Sequence, residues 1–335
     1  MRWTAENPHW TGLEPLEARV LLSAVAAGLD DGPALVAAAA APDLAWASFL
    51  GGTGSDKANG IAIAPDGSAR IVGWTDSTDI AGATNANAGG FDAFVAKVTA
   101  AGTLAWVTYI GGGENDLGNE VVVDDAGNAY IVGDTRSSNL PSNTNGHQVG
   151  FAAFVTKVDV NGNITWSTYL GGSGLDNGFD LALNGAAVAV AGVTESTNLL
   201  GAANASHGGF NDAFVARLDT ATGNAAWTRY LGGSDEDRAL GVAVDSAGDV
   251  WATGGTMSDD FAGATNTYKG GESDIFVAQL AGGSGAVVQS RYHGGTFSDT
   301  AFAIAIDDAD QPHLTGTTDS VNFGGAGHAF LGGSR

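Results

Sequence analysis

The chain contains no cysteine among its 335 residues, which excludes disulfide bonds, thiolate metal sites and thiol nucleophiles. Basic residues are also scarce: 13 of them stand against 37 acidic residues, and the formal net charge is −24. Such a charge repels phosphate backbones and anionic lipid headgroups, so we expect no nucleic acid and no membrane surface as a partner. Solubility explains the charge most simply, although it would also attract a cation or a basic surface.

Long hydrophobic runs are lacking as well. The strongest apolar stretch near the start, residues 20–29, is too short to span a bilayer, and we expect no membrane insertion. The Ala-Val-Ala at 24–26 has the form of a cleavage site, but the preceding residues are acidic where a signal peptide is basic. We interpret residues 1–42 as an irregular export segment with an alanine-rich linker, poorly ordered.

What the sequence does contain is glycine, at 52 positions, and an internal repeat. The pattern Trp-x-x-aromatic-x-Gly-Gly recurs, and a fifth, divergent copy carries Gln289 in place of the tryptophan. The spacings between successive copies are 60, 60, 61 and 62 residues, which is typical of a repeat architecture. The tryptophans that begin the four intact copies are Trp46, Trp106, Trp166 and Trp227.

Each repeat contains four short apolar runs that we interpret as strands a, b, c and d, with d carrying the tryptophan. The sequence therefore predicts an all-β fold, a β-propeller of four-stranded antiparallel blades over residues 43–335. We count five blades. The first strand d, residues 45–50, is expected to close the ring by completing the last blade beside a shortened strand c at 329–333, because closure removes unpaired edges.

Three sequence blocks resemble the SBBP family of bacterial β-propeller repeats: WSTYLGGSGLDNG from Trp166, VVVDDAGNAYIVGDT from Val121 and GGFDAFVAKV from Gly89. The resemblance covers about residues 44–335 and implies propeller repeats of exported or surface proteins, generally without an assigned enzymatic activity. The LEARVLL at 16–22 is similar to the LEPR-XLL motif of large extracellular bacterial proteins, with Ala18 where that motif has proline. Together they imply an extracellular or cell-surface location.

The most regular polar residue is an aspartate four positions after each Gly-Gly pair. It falls in the connection from strand d to the next strand a. Because neighbouring strands alternate in direction, these connections and the long b-to-c loops emerge on one face, which we predict binds a protein or glycan ligand. The alternative is that each aspartate caps backbone N–H groups of its own loop. The five are Asp56, Asp116, Asp176, Asp237 and Asp299.

No cofactor is expected from these residues. Calcium needs six to eight oxygen ligands, which one aspartate per blade does not supply, and no EF-hand spacing occurs. Calcium shared by several blades at the channel mouth is the weaker hypothesis. His147 and His207 lie at equivalent loop positions, but no third zinc ligand recurs with them. The repeated tryptophans are expected to pack between blades, with sugar stacking as the alternative.

No catalytic constellation stands out, since the sequence lacks a G-x-S-x-G elbow and a glycine-rich loop that opens a helix. The leading hypothesis is a monomeric, non-enzymatic binding or scaffold module. A glycan hydrolase or lyase with its site at the channel mouth is the first alternative, because the fold alone excludes no chemistry. A purely structural spacer of the cell envelope is the second.

Overall fold

The computed structural model describes residues 46–146, 150–206 and 208–324. The chain divides between Ala47 and Ser48, and the fold described below is that of the unit beginning at Ser48. Several predicted features lie outside the described residues. They are the export segment and linker at 1–42 with their LEPR-XLL-like motif, strand c of the last blade at 329–333, and both His147 and His207.

Every regular element in the described residues is a β-strand, and the strands form antiparallel sheets in sequence order. Four sheets have four strands and one has two, which confirms the all-β fold of four-stranded antiparallel sheets. The first comprises β1 (Asp56–Ile63), β2 (Ala69–Thr75), β3 (Asp92–Val98) and β4 (Leu104–Ile110); the second β5 (Asp116–Val123), β6 (Ala129–Thr135), β7 (Ala152–Val158) and β8 (Ile164–Leu170); the third β9 (Asp176–Asn184), β10 (Ala187–Thr194), β11 (Asp212–Asp219) and β12 (Ala225–Leu231); the fourth β13 (Asp237–Val244), β14 (Val250–Thr256), β15 (Asp274–Leu280) and β16 (Val287–His293); the fifth β17 (Asp299–Ile306) and β18 (Pro312–Thr318).

The first strand of every sheet carries a β-bulge at the same place. The third residue after the repeated aspartate has no partner on the second strand, so the pairing register shifts around it. A bulge bends its strand and redirects the side chain of the extra residue. The bulged residues are Asn59, Asn119, Phe179, Leu240 and Phe302.

The fourth strand of each complete sheet is bridged along its outer side by the sheet's own b-to-c loop. In the first sheet, Thr84 N–H donates to the Val107 carbonyl at 2.7 Å, and Val107 N–H donates to the Gly82 carbonyl at 3.0 Å. Parallel bridges join 143 to 167, 202 to 228 and 264 to 290 in the other three. Part of an otherwise open row of backbone groups is therefore paired.

Three of the four repeated tryptophans pack between sheets and donate their indole N–H groups to the next sheet, whereas Trp46, predicted to pack in the same way, is 41% exposed. Trp166 Nε1 donates to the Thr220 carbonyl at 3.2 Å, in the c-to-d turn of the third sheet. The same turn contains Gly223, whose φ of 73° brings its backbone under the indole ring. Trp106 and Trp227 repeat the contact with the following sheets.

A methyl group on Gly223 should strongly destabilise this contact. A Cβ built there would lie 2.7 Å from the Trp166 ring, and the positive φ disfavours any side chain. We expect Gly223→Ala to lower the free energy of unfolding by about 3 kcal/mol, measured by urea denaturation. Gly185→Ala is the matched control, because Gly185 also has a positive φ but open space around it. It should cost about 1 kcal/mol, and equal losses would contradict the packing argument.

The strand d predicted at residues 45–50 is wrong for the residues that the structure describes. Residues 46–50 form no strand, and Phe49 is fully exposed. The partner strand expected at 329–333 lies outside the described residues, so closure of the ring stays a prediction. Sheets one to five pack in series, but within the described residues the first and the last share no such packing.

Of the described residues, none belongs to a helix long and apolar enough to cross a membrane.

Candidate ligand-binding site

The repeated aspartates lie within the loop face of their own sheets, where each binds its own connection. Asp116 Oδ2 accepts the Gly112 N–H and the Ser137 hydroxyl, both at 2.8 Å, while its Oδ1 accepts the Thr135 hydroxyl. Asp176 makes the same three contacts in the next sheet. Four of the five are fully buried, and only Asp56 is partly exposed.

A second repeated motif, which the sequence reading missed, supplies the partners of these aspartates. The end of each second strand has the pattern Thr-x-Ser-x-Asp/Asn. In the second sheet the Ser137 hydroxyl also accepts the Glu114 N–H at 3.0 Å, and Asn139 Oδ1 accepts the Gly113 N–H at 3.1 Å. The pattern ties the d-to-a connection to the b-to-c loop of the same sheet and was detectable as a constant spacing. Its copies are Thr75-Ser77-Asp79, Thr135-Ser137-Asn139, Thr194-Ser196-Asn198, Thr256-Ser258-Asp260 and Thr318-Ser320-Asn322.

This geometry supports the capping alternative for the repeated aspartates. Their carboxylates hold the loops together, and the four buried ones present no surface to a ligand in this conformation. Desolvation raises the pKa of Asp116 and of Asp176, and raises that of Asp237 to about 6. Whether any of the five contacts a ligand stays an untested prediction.

Part of the loop face departs from the repeat and forms a cleft of about 560 Å³. It lies at the starts of β9, β13 and β17 and at the ends of β10 and β14, beside the capped aspartates. Six apolar side chains line it together with several polar ones, and Val193 is the buried one. Phe210, Met257 and Phe302 among them are exposed, whereas Phe179 and Leu240 are half-buried.

The cleft is built from positions that vary between repeats. Three of its apolar residues, Phe179, Leu240 and Phe302, are the bulged residues of the last three sheets. The charged ones directly follow or precede constant residues: Glu195 follows Thr194, and Arg238 follows Asp237. Comparing the repeats at the positions that flank the aspartate and the threonine could have located the cleft from the sequence.

In the first two sheets the bulged residue is an asparagine that bonds to the next sheet, so the junction that is open in the cleft is closed there. Asn59 Nδ2 donates to the Gly118 carbonyl, and Asn119 Nδ2 to the Gly178 carbonyl, both at 2.8 Å. These bonds join neighbouring sheets across their first strands. Phe179 and Leu240 cannot make such a bond, so the same junctions in later sheets present apolar surface instead.

The charges in the cleft are Glu195, Glu236 and Arg238, and Arg238 Nη2 lies 3.4 Å from Glu236 Oε2. With that ion pair formed, Glu195 remains as the cleft's excess negative charge. The arrangement suits an apolar side chain next to a basic group, because apolar lining excludes water and the carboxylate favours a cation. Across the described residues, no cluster of three or more His, Asp or Glu side chains is arranged to hold a metal ion.

Comparison with known proteins identifies the repeat. Residues 105–141 match the family model of the SBBP β-propeller repeat. A relative, the regulatory protein FlaEY of Caulobacter vibrioides, is 25% identical over 301 residues, which are 78% of this chain and 30% of that protein. The chain thus spans less than a third of that relative's length.

Solved structures similar to this chain include a gluconolactonase from Xanthomonas campestris, at 16% identity and a TM-score of 0.36, covering 78% of this chain and 84% of that one. An apocarotenoid oxygenase mutant from Synechocystis, at 7% identity and a TM-score of 0.35, covers 78% of this chain and 50% of that one.

Proposed function

Because the chain carries an SBBP β-propeller repeat, we propose that it is a non-enzymatic binding module that holds a protein ligand in the cleft of its third to fifth sheets. The cleft is the observation that carries the proposal. Residues that are the same in every repeat form the scaffold, and residues that differ between repeats line the cleft. Binding residues on loops of a rigid scaffold are the common arrangement in proteins.

A protein segment fits the cleft better than a glycan does. Sugar sites use broad aromatic faces with many hydrogen-bonding groups, and Trp or Tyr is common there because each combines a ring with a polar tip. The cleft lining contains no tryptophan and no tyrosine, and its aromatic residues are all phenylalanines. The tryptophans of the fourth strands are unavailable for stacking, since Trp106, Trp166 and Trp227 are buried between sheets.

The proposal is tested by selecting binders from a random-peptide library on the immobilised chain and measuring their affinity by calorimetry. We expect selected peptides to combine an apolar with a basic residue, and Phe302→Ser to weaken them about tenfold or more. Leu200→Ser is the matched control, because Leu200 is an exposed apolar side chain outside the cleft. Peptides that bind Phe302→Ser as tightly as the original chain would refute the proposed site.

The cleft also contains two carboxylates, Glu195 and Glu236, which keeps a glycan hydrolase or lyase as the second candidate function. Such enzymes use a pair of carboxyl groups about 5 to 10 Å apart across the scissile bond. If this candidate were correct, the chain would cleave members of a glycan panel and Glu195→Gln would abolish cleavage. No cleavage of any panel member would count against it.

We further propose that the protein is exported to the cell surface or the medium. The support is the similarity of residues 16–22 to the LEPR-XLL motif, together with the SBBP repeat. Fractionation of expressing bacteria should place the chain outside the cytoplasm, and deletion of residues 1–42 should retain it inside.

A further inference from the structure

The first sheet exposes a face that every other sheet buries. Ile61 is 62% exposed, whereas the equivalent residue five positions after the repeated aspartate is 2% exposed in the second sheet, at Val121. Leu181, Val242 and Ile304, in the other three, are also buried. In sheets two to five this residue packs against the preceding sheet; Val121, for example, lies in one cluster with Val72 and Val95.

The last sheet exposes the complementary face. The second-strand residue that faces the following sheet is fully buried in the first four sheets, at Val72, Val132, Ala191 and Thr253. Its equivalent in the fifth sheet, Thr315, is exposed, as are Ala303 and Ala305 on the neighbouring strand. This face presents small side chains, whereas the face of the first sheet presents the larger Ile61 and Ile63.

The internal junctions show how these two faces would meet. Val72 Cγ2 lies 2.6 Å from where a Cβ on Gly118 would be, and Val132 Cγ2 lies 2.5 Å from that of Gly178. Gly118 and Gly178 stand two positions after the repeated aspartates. The corresponding residue of the first sheet is Ala58, which is exposed, whereas Ala239 and Ala301 at that position are buried.

We propose that the exposed face of β1–β2 packs against the exposed face of β17–β18 of a second copy of this chain, head to tail. The contact repeats a junction that the molecule already forms four times, between the first two strands of one sheet and the first strand of the next. It buries Ile61 in the position of Val121 and Thr315 in the position of Val72. A heterologous contact of this kind forms a ring or an open chain of copies. It replaces the monomer expected from the sequence.

Disulfide trapping tests the pairing directly, because the chain has no cysteine of its own. The variants are Ala58→Cys and Thr315→Cys, each in the full chain and each at an exposed position. Oxidising a mixture of the two should give a cross-linked dimer. The reason is that the equivalent internal pair, Gly118 and Val72, lies in direct contact across its junction, which is the proximity that a disulfide requires. Each variant alone should give almost none.

Three results would overturn the proposal. The first is a mixture of the two variants that does not cross-link. The second is a dimer that forms equally well from Ala58→Cys alone. The third uses a chain that carries both substitutions and is an internal cross-link within its monomers at low concentration. The last would show that the chain closes on itself.

Sedimentation over a range of concentrations gives an independent measurement. The unmodified chain should self-associate, and Ile61→Asp should weaken association at least about tenfold without changing thermal unfolding, since Ile61 is already exposed in the single copy. Leu200→Asp, at an exposed apolar residue away from both faces, should leave association unchanged. A chain that stays monomeric throughout, or Ile61→Asp that associates normally, would refute the second-copy contact.

Discussion

Asp176→Ala is expected to destabilise the protein by about 4 kcal/mol, measured by urea denaturation, because three buried donors lose their acceptor. These are the Gly172 N–H and the hydroxyls of Thr194 and Ser196. Their site is fully buried, and water cannot replace the carboxylate without opening the loop face. The loss should appear in stability rather than in affinity for a cleft ligand.

Asp56→Ala is the matched control for this substitution. Asp56 makes equivalent contacts to Gly52, Thr75 and Ser77, but it lies in the first sheet where the aspartate is partly exposed. Water can reach Asp56 itself and the exposed Gly52 N–H, whereas Thr75 and Ser77 are buried, so we expect a smaller loss of about 2 kcal/mol. A loss as large as that of Asp176→Ala would show that burial does not set the cost.

The second large effect is a pH dependence at the junction of the first two sheets. Asp92 Oδ1 and Asp116 Oδ2 lie 2.4 and 2.8 Å from the point where a Cβ on Gly111 would stand, and Asp92 Oδ1 has no hydrogen-bond partner. Desolvation, with the charge of Asp116 adding to it, raises the pKa of Asp92 to about 7. The folded protein therefore holds the Asp92 proton more tightly than the unfolded chain does.

Stability should consequently fall as the pH rises from about 4 to about 7, the interval between the pKa of Asp92 in the unfolded and in the folded state. Asn at position 92 cannot ionise and can donate an N–H toward Asp116. We expect Asp92→Asn to be more stable than the original chain by about 2 kcal/mol at pH 8, with the gain declining toward pH 4. Thermal unfolding at both pH values measures the difference.

The second sheet provides a natural control, because Ala152 stands where the first sheet has Asp92. Asp176 of the third sheet therefore faces Ala152 where Asp116 faces Asp92, and the second sheet still forms its strand β7. Ala152→Asn should therefore bring no pH-dependent gain. Parallel pH profiles for Asp92→Asn and the original chain would rule out the buried carboxyl pair as their source.

Repetition made the strands and their order predictable from the sequence, because each strand assignment is supported by the same pattern in several copies. Strands a and b of each repeat correspond to paired strands in the structure, and the repeated aspartate begins each first strand. Closure was not predictable in this way. It depends on whether residues 45–50 find a partner strand, and that is a long-range contact that no local pattern reports.

The candidate site was only partly predictable. The loop face followed from the alternation of strand direction, but attention to the most regular residue pointed to Asp56 and its equivalents, which the scaffold uses. A binding site on a repeat protein is marked by irregularity, and Phe179 and Leu240 interrupt the asparagines found at Asn59 and Asn119. Their redirection depends on the bulge, which hydrophobic alternation does not reveal.

The bridges between each b-to-c loop and its own fourth strand have a consequence for biosynthesis. Because Thr84 and Gly82 pair with Val107 within one repeat, a newly made sheet protects part of its outer edge before the next repeat is complete. Identical repeats in a row are prone to mispair with one another through open edges. A blade that covers its own edge can be duplicated in a gene without adding a new aggregation site each time.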